Sequence, residues 1–207
     1  MREKNDAALA FARELFQGDA SGHDWFHTLR VYRTALAIQE VEGGDAEIVA
    51  LAAILHDVDD PKLFSGGGNR NATSFLANHP KAAEILDAIT TVSFKGGNGM
   101  RPRAIEGMIV QDADRLDAIG ALGIARAFAY GGSRGRALHD PDVPPRAHMT
   151  EAEYRASEST TVNHFYEKLF QLKSRMNTAE GRRRAESRDL YMRGFLEEFL
   201  REWDGEA

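Results

Sequence analysis

The stretch AEIVALAAILHDVDD spans residues 46–60, and its pattern guides the interpretation of the whole chain. The residues from Ala46 to His56 predict a strongly apolar helix, and because Pro61 follows closely we expect this helix to stop around Val58 or Asp59. His56 and Asp57 are adjacent at the end of that helix, with both side chains near the core. Because buried ionisable groups need a partner or a metal ion, the sequence predicts a functional site there.

Helical spacing extends well beyond this stretch. Apolar residues recur at steps of three and four, which keeps them on one helix face, and runs that alternate with the period of a strand are absent. Gly43-Gly44 should end one helix, and Asp45 is a suitable N-cap for the next. We therefore predict an all-α bundle, with candidate helices at 7–16, 27–41, 46–56, 81–92, 105–128, 161–176 and 192–203.

The longest stretch without helical spacing runs over residues 131–149. It contains Gly131, Gly132 and Gly135, and it also carries Arg134 and Arg136. A loop of this length within a small domain is usually mobile or functional, so we predict an irregular segment with a role at the site.

Composition excludes several classes of protein. The 207 residues include 26 Lys plus Arg, 32 Asp plus Glu and no Cys, for a formal net charge of −6. Without Cys the protein has no disulfide framework, thiolate nucleophile or Cys-ligated metal. The acidic balance argues against a nucleic-acid partner. No apolar run approaches the roughly 20 residues of a membrane span, so we expect no membrane association and a cytoplasmic location. The length of the chain predicts one domain over residues 1–207.

The acidic and imidazole residues suggest a metal site. His27 lies near the start of a predicted helix, and Asp112 and Asp114 lie within another. Together with His56 and Asp57 they offer imidazole and carboxylate ligands, which suit Mn, Mg, Ni, Co or Fe. Asp112 and Asp114 are about 200° apart around a helix, so both cannot easily face one ion. Spacing alone does not choose between them.

The order of these residues resembles a known family. His27, the pair His56-Asp57 and Asp114 follow the H…HD…D signature of the HD-domain metal-dependent phosphohydrolases, within the words HTLRV, AAILHD and ADRL. The runs DADRLDAIGALGIARAFAYGG and HFYEKLFQLKSRMNTAEGRRRA are similar to the bacterial HD hydrolases of the YedJ/YpgQ type. The resemblance covers residues 7–203.

This resemblance implies a fold and a ligand set. It implies an all-α HD-domain bundle around a single divalent metal ion, with the HD core over residues 20–130 and C-terminal helices over 150–203 packed on it. The implied metal ligands are His27, His56, Asp57 and Asp114. Asp60 matches the position of an acidic residue near the metal-bound water and is the candidate catalytic residue, with Asp117 as the second choice.

The resemblance also implies a substrate class. It favours a small phosphorylated substrate, above all a nucleoside triphosphate cut between its α and β phosphates. Cations near the ligand segments are candidates to bind the substrate phosphates, and His23 is a further candidate near the site. The predicted substrate-binding residues are Lys62, Lys95, Arg115, Arg134, Arg136 and His23.

Two other functions are alternatives to hydrolysis. A di-iron oxygenase of the same fold would need further His ligands, and His79 is the only His between Asp57 and Asp114. One metal is therefore favoured over two, and we expect His79 and His164 on the surface. A metal-binding sensor without turnover is an alternative that the sequence leaves open, as it does a homodimer.

Overall fold

The protein is represented by a computed structural model, which describes residues 2–16, 25–60, 69–92, 101–146 and 159–206. Across these ranges every regular element is helical, which confirms the all-α prediction. None of these helices has both the length and the apolar character that crossing a membrane requires. The helices are α1 (Arg2–Leu15), α2 (Trp25–Glu42), α3 (Ala46–Leu55), α4 (Arg70–Phe75), α5 (Ala82–Thr90), α6 (Ile105–Asp117), α7 (Gly120–Ser133), α8 (Thr161–Glu167) and α9 (Ala179–Trp203), with 3-10 turns at Leu169–Gln171 and Lys173–Arg175.

Contacts within the chain divide it into two compact units, residues 1–114 and 115–207. The boundary falls inside α6, so one continuous helix contributes to both units. One HD domain over residues 1–207, with the core at 20–130 and helices at 150–203, stays a prediction.

Helix α3 is the centre of the first unit. It packs against α1, α2 and α5, and its residues from Ile48 to Leu55 are buried. The predicted cap is present, because the Asp45 carboxylate accepts hydrogen bonds from the backbone N–H groups of Glu47 at 3.0 Å and Ile48 at 3.2 Å. Capping fixes where α3 begins. The position of this first residue also sets the positions of His56 and Asp57, which follow the other end of α3.

The second unit is built on aromatic side chains. Phe128 of α7, Phe165 of α8, and Phe195 and Phe199 of α9 form one cluster, with ring centroids 5.8 to 6.4 Å apart. These spacings are within the range in which aromatic pairs attract one another beyond simple burial. The cluster therefore joins the three helices of this unit.

A buried carboxylate, Glu167 at the end of α8, binds residues on both sides of 147–158. Glu167 accepts hydrogen bonds from the Arg146 side chain at 2.9 and 3.1 Å, from the Arg146 backbone N–H at 3.1 Å and from Ser159 Oγ at 3.1 Å. Burial raises the pKa of Glu167, but these hydrogen bonds and the Arg146 charge outweigh it and lower the pKa overall. Glu167 is therefore ionised near neutral pH, and it ties together the residues on either side of 147–158.

Two predicted helices are interrupted in the structure. The stretch 105–128 does not form one helix: α6 ends at Asp117 and α7 begins at Gly120, whose φ of +79° favours glycine. The stretch 161–176 forms α8 and two 3-10 turns rather than a single helix. Steps of three and four residues suit either geometry, because a 3-10 turn has about three residues per turn.

The predicted irregular segment is shorter than expected. Residues 131–133 belong to α7, so only 134–146 are irregular within its described part, and 147–149 lie outside the described residues. The prediction is wrong for Gly131 because this glycine serves packing rather than flexibility. A Cβ atom at Gly131 would lie 2.3 Å from Thr161 Oγ1, whereas one at Gly132 would meet nothing within 4 Å.

These two adjacent glycines give a matched stability test. Gly131→Ala should lower the free energy of unfolding by about 1–3 kcal/mol, because Thr161 is buried and must move. Gly132→Ala should leave it unchanged or raise it by up to about 1 kcal/mol, since alanine favours helix. Denaturant unfolding measures both. Equal stability of the two variants would contradict the close packing of α7 on Thr161.

Candidate metal centre

Three helical segments of the first unit supply the four predicted ligands. His27 lies in the first turn of α2 and is buried. His56 and Asp57 follow directly after the last residue of α3, and Asp114 belongs to α6. The pair at the end of α3 is placed by the buried helix that precedes it.

The structure brings the four side chains together. The Nε2 atoms of His27 and His56 are 3.3 Å apart, and Asp57 Oδ2 is 3.3 Å from each of them. Asp114 Oδ1 is 3.5 Å from His27 Nε2 and 4.0 Å from His56 Nε2. Among the residues that the structure describes, His27, His56 and Asp57 form the group whose ligand atoms all lie within 4.8 Å of one another.

The backbone orients the His56 ring. Its Nδ1 atom lies 2.8 Å from the carbonyl oxygen of Ala53, one turn earlier in α3. A carbonyl oxygen only accepts, so Nδ1 carries the proton in this contact. The lone pair of the neutral ring is then on Nε2, which is the nitrogen that faces His27 and Asp57. This is the arrangement by which a second hydrogen bond prepares a histidine to bind a metal ion.

Electrostatics at the cluster favour a positive charge. Burial lowers the pKa of His56, and the neighbouring His27 also lowers it. The charge and hydrogen bond of Asp57 and the charge of Asp114 act in the other direction, and the pKa of His56 is raised overall. Two carboxylates beside two buried imidazoles therefore attract either a proton or a metal cation.

The donor atoms fit a divalent metal ion. Ligands at right angles on an ion with bonds of about 2.1 Å are about 3 Å apart, close to the 3.3 Å spacing of the His27, His56 and Asp57 atoms. Imidazole nitrogen with carboxylate oxygen suits first-row metals and Mg²⁺ rather than ions that prefer thiolate. The arrangement does not distinguish between these metals.

The two carboxylates after the ligand pair have different surroundings. Asp59 accepts hydrogen bonds from the backbone N–H groups of Asn71 at 2.8 Å and Ala72 at 2.9 Å, at the start of α4. The backbone N–H of Asp60 donates to the carbonyl of Asp57 at 3.0 Å, which holds Asp60 in a turn beside the ligand pair. Asp59 therefore caps the N-terminus of α4.

The predicted substrate-binding residues fall into two groups. Lys62, Lys95 and His23 lie outside the described residues. The three arginines are described, and each has a local contact in the second unit. An Nη1 hydrogen of Arg115 is donated to the carbonyl of Arg175.

The other two arginines lie just after α7. The Arg134 guanidinium is 5.4 Å from the centre of the Tyr130 ring, and its side chain is exposed. The backbone N–H of Arg136 donates to the Gly131 carbonyl at 2.9 Å. The Arg136 contact therefore involves its backbone, whereas the Arg134 contact involves its guanidinium group. Asp117, the second catalytic candidate, is buried and accepts a hydrogen bond from Arg126 Nη1 at 2.6 Å.

Two histidines differ from the expectation of a surface position. The His79 ring is only 11% exposed, with Nε2 3.5 Å from Glu47 Oε1, and its Nδ1 accepts from the backbone N–H of Lys81 at 3.2 Å. Burial, together with the charges of Lys168 and Arg136, lowers the pKa of His164 to about 3. Helical spacing gave no signal for either position, because neither ring follows the apolar pattern.

The sequence and the fold of this chain are similar to those of several known proteins. A sequence profile of the HD domain matches residues 25–119. YpgQ of Bacillus subtilis is 35% identical over 213 aligned positions, covering 94% of this chain and 91% of YpgQ. An HD-superfamily hydrolase from Bacillus thuringiensis is similar in structure, with a TM-score of 0.79, 40% identity and 98% coverage of both chains. YpgQ crystallised in complex with ADP has a TM-score of 0.77 and 32% identity, covering 98% of this chain and 100% of YpgQ.

The profile match and the site geometry agree in position. Residues 25–119 include all four clustered side chains, from His27 to Asp114. The similarity to YpgQ extends across nearly the whole chain rather than this region alone. The chain therefore belongs to the HD-domain family, in the branch that includes YpgQ, and is an HD-superfamily metal-dependent hydrolase.

Proposed function

We propose that the protein hydrolyses nucleotides, with nucleoside triphosphates as its substrates and the bond between the α and β phosphates as the bond cut. The observation that carries this proposal is the group of two imidazoles and two carboxylates with contacts of 3.3 to 4.0 Å. The nucleotide class is supported by the relative YpgQ, which crystallised in complex with ADP.

The four clustered residues would hold one divalent ion, for which Mn, Mg, Ni, Co and Fe are candidates. Such an ion supplies charge neutralisation at a phosphoryl group and makes a water molecule more acidic. The chain supplies the orientation of His56 through Ala53 and the negative charge of Asp57 and Asp114.

Asp60 is proposed to take the proton of the attacking water. As the water oxygen bonds to the α phosphorus, its proton passes to the Asp60 carboxylate. The bond from that phosphorus to the bridging oxygen breaks, and pyrophosphate leaves with the electron pair. The turn that links the Asp60 backbone to Asp57 supports this role, because it keeps residue 60 next to the ligand pair.

Cations are proposed to bind the phosphates away from the reacting bond. Arg136 lies just after α7, where its backbone N–H donates to the Gly131 carbonyl at 2.9 Å. Guanidinium groups suit phosphate oxygens because they donate two parallel hydrogen bonds. The proposed set is Lys62, Lys95, Arg115, Arg134, Arg136 and His23.

A metal-supplemented screen of phosphorylated metabolites tests the activity. Phosphate and pyrophosphate should be detected separately, because their ratio identifies the bond that is cut. We expect pyrophosphate from nucleoside triphosphates, and no product from His56→Ala. Metal binding without turnover on any compound would instead favour the sensor without activity.

The first prediction concerns metal content. Alanine at His27, His56, Asp57 or Asp114 should abolish or strongly weaken the loading of one divalent ion per chain. His79→Ala is the matched control and should load normally, because its Nε2 faces Glu47. Elemental analysis of the purified variants measures both. Full stoichiometry in His56→Ala would contradict the ligand set, and two ions in the parent would contradict a single metal.

The second prediction concerns Asp60. Asp60→Asn keeps the size of the side chain but removes its basic carboxylate, so turnover should fall by roughly 10²-fold or more while metal content persists. Asp59→Asn makes the same change one residue earlier, and it should affect thermal stability more than turnover because Asp59 caps α4. Parental turnover in Asp60→Asn would assign the proton transfer to another group.

The third prediction concerns the arginines after α7. Arg134→Ala and Arg136→Ala should raise KM for a triphosphate more than for a monophosphate, because the longer substrate places charge further from the reacting bond. Arg201→Ala is the control, since Arg201 is an exposed residue paired with Glu198 at 2.9 Å. Steady-state kinetics with both substrates decides. Equal effects on the two substrates, or none, would remove these arginines from phosphate binding.

A further inference from the structure

Helix α9 has two faces of different character. Ala185, Met192 and Leu196 are buried and lie on the face that packs within the second unit. Leu190 and Tyr191 lie on the opposite face, in the middle of this 25-residue helix, where they are 71% and 59% exposed. The solvent side of a helix is normally polar, so two adjacent large apolar side chains there indicate a surface that binds a partner.

The residues next to this apolar pair leave room for another helix. Ser187 lies about one turn before the pair and Gly194 about one turn after it, and both are exposed. A Cβ atom at Gly194 would meet nothing within 4 Å. Short side chains on both sides of an apolar centre allow two helices to approach to about 8 Å between their axes.

Charged residues follow at both ends of the same face. Arg183 is 70% exposed and pairs with Glu180 of its own helix at 2.7 Å. Glu198 and Arg201 are both exposed and pair with each other at 2.9 Å. Exposed pairs three residues apart contribute little to stability, so these side chains can also interact with charges outside the helix.

The order of residues along this face is antisymmetric in charge. Successive residues at helical spacing from one end of the face to the other are Glu180, Arg183, Ser187, Leu190, Tyr191, Gly194, Glu198 and Arg201. When the order is reversed, each acidic position coincides with a basic one, and each small residue coincides with the other. The face is therefore complementary to a copy of itself that runs in the opposite direction.

We propose that α9 binds α9 of a second copy of this chain, antiparallel, with the two-fold axis between Leu190 and Tyr191. Such an axis uses the same surface on both copies. It places each of these two side chains against its counterpart in the second copy. It also brings Arg183 of each copy opposite Glu198 of the other, at two symmetric positions.

Other arrangements of the same two helices are less favourable. A parallel pair would bring Arg183 against Arg183 and Glu198 against Glu198, and like charges that face each other repel. An antiparallel pair centred at Gly194 would bury Leu190 against Glu198. A pair centred at Ser187 would bury Leu190 against Arg184. The arrangement centred between Leu190 and Tyr191 gives both an apolar centre and opposite charges at its ends.

The size of this surface sets the expected affinity. One helix face per copy is smaller than the roughly 800 Å² per partner of a standard stable interface. The dimer should therefore be weak, with a Kd on the order of 10 µM. Analytical ultracentrifugation of the full chain over about 1–200 µM should show the mass rise from 22.9 kDa towards twice that value.

A substitution at the centre tests the position of the interface. Leu190→Asp places two carboxylates against each other across the axis and should raise the Kd by at least about tenfold. Val41→Asp is the matched control, because Val41 is 65% exposed but belongs to α2 in the first unit. It should leave the Kd within about twofold of the parent. Equal weakening in the two variants would overturn the proposal.

Charge reversal tests the direction and the pairing. Arg183→Glu and Glu198→Arg should each raise the Kd by roughly tenfold, since each variant creates two repulsive pairs in its own dimer. In an equimolar mixture of the two variants every altered position faces an opposite charge, so the mixed dimer should form with the parental Kd. This recovery also shows that both variants are folded. A mixed dimer no tighter than those of the separate variants would overturn the pairing.

Cross-linking tests the register without relying on affinity. The chain contains no Cys, so introduced thiols are the only ones present. Ser187→Cys and Gly194→Cys face each other in the proposed dimer, whereas two copies of the same variant have their thiols about 10 Å apart along the helix. Oxidation of the mixture should give the mixed disulfide in at least about threefold excess over self-linked dimers.

Two results would overturn the proposal independently of the charge variants. One is a parent chain that stays at 22.9 kDa up to 200 µM. The other is a Gly194→Cys chain that links to itself as readily as to Ser187→Cys. The proposal does not rest on the proposed function, because no residue of this face belongs to the metal centre or to the candidate phosphate-binding set.

Discussion

Placing ionisable side chains at the end of a helix that is buried from Ile48 to Leu55 is the constraint on which the first unit depends. Helix α3 has no solvent-facing residue between Val49 and Leu55, so the chain reaches His56 and Asp57 inside the protein. Those groups need compensating charge close by. Helix α2 supplies His27 and α6 supplies Asp114, and the backbone carbonyl of Ala53 orients the ring of His56. The helices that pack together in this unit therefore also supply the clustered side chains.

The second unit is held together by different interactions. Its core is aromatic, and several of its arginines donate hydrogen bonds to backbone carbonyls, as Arg115 and Arg188 do. Such bonds satisfy the ends of helices without neutralising charge.

Much of this architecture follows from the sequence, since helical spacing, the Asp45 cap and the order of the four clustered residues are all visible there. The breaks at 118–120 and at Lys168 were not visible, because apolar steps of three and four do not distinguish a continuous helix from two shorter ones. Gly131 looked like a loop residue because composition cannot report that Thr161 packs against its backbone. Long-range contacts of this kind, like those of His79 and His164, exist only once the chain is folded.

The Glu167 network has a consequence for how the chain tolerates change. One carboxylate holds Arg146 and Ser159, so the ends of the connection over 147–158 are fixed at a single point. Loss of this carboxylate would therefore be felt on both sides of the gap at once, because Arg146 and Ser159 would lose the same acceptor. The Arg146 guanidinium would then be left without the charge that its two hydrogen bonds to Glu167 supply.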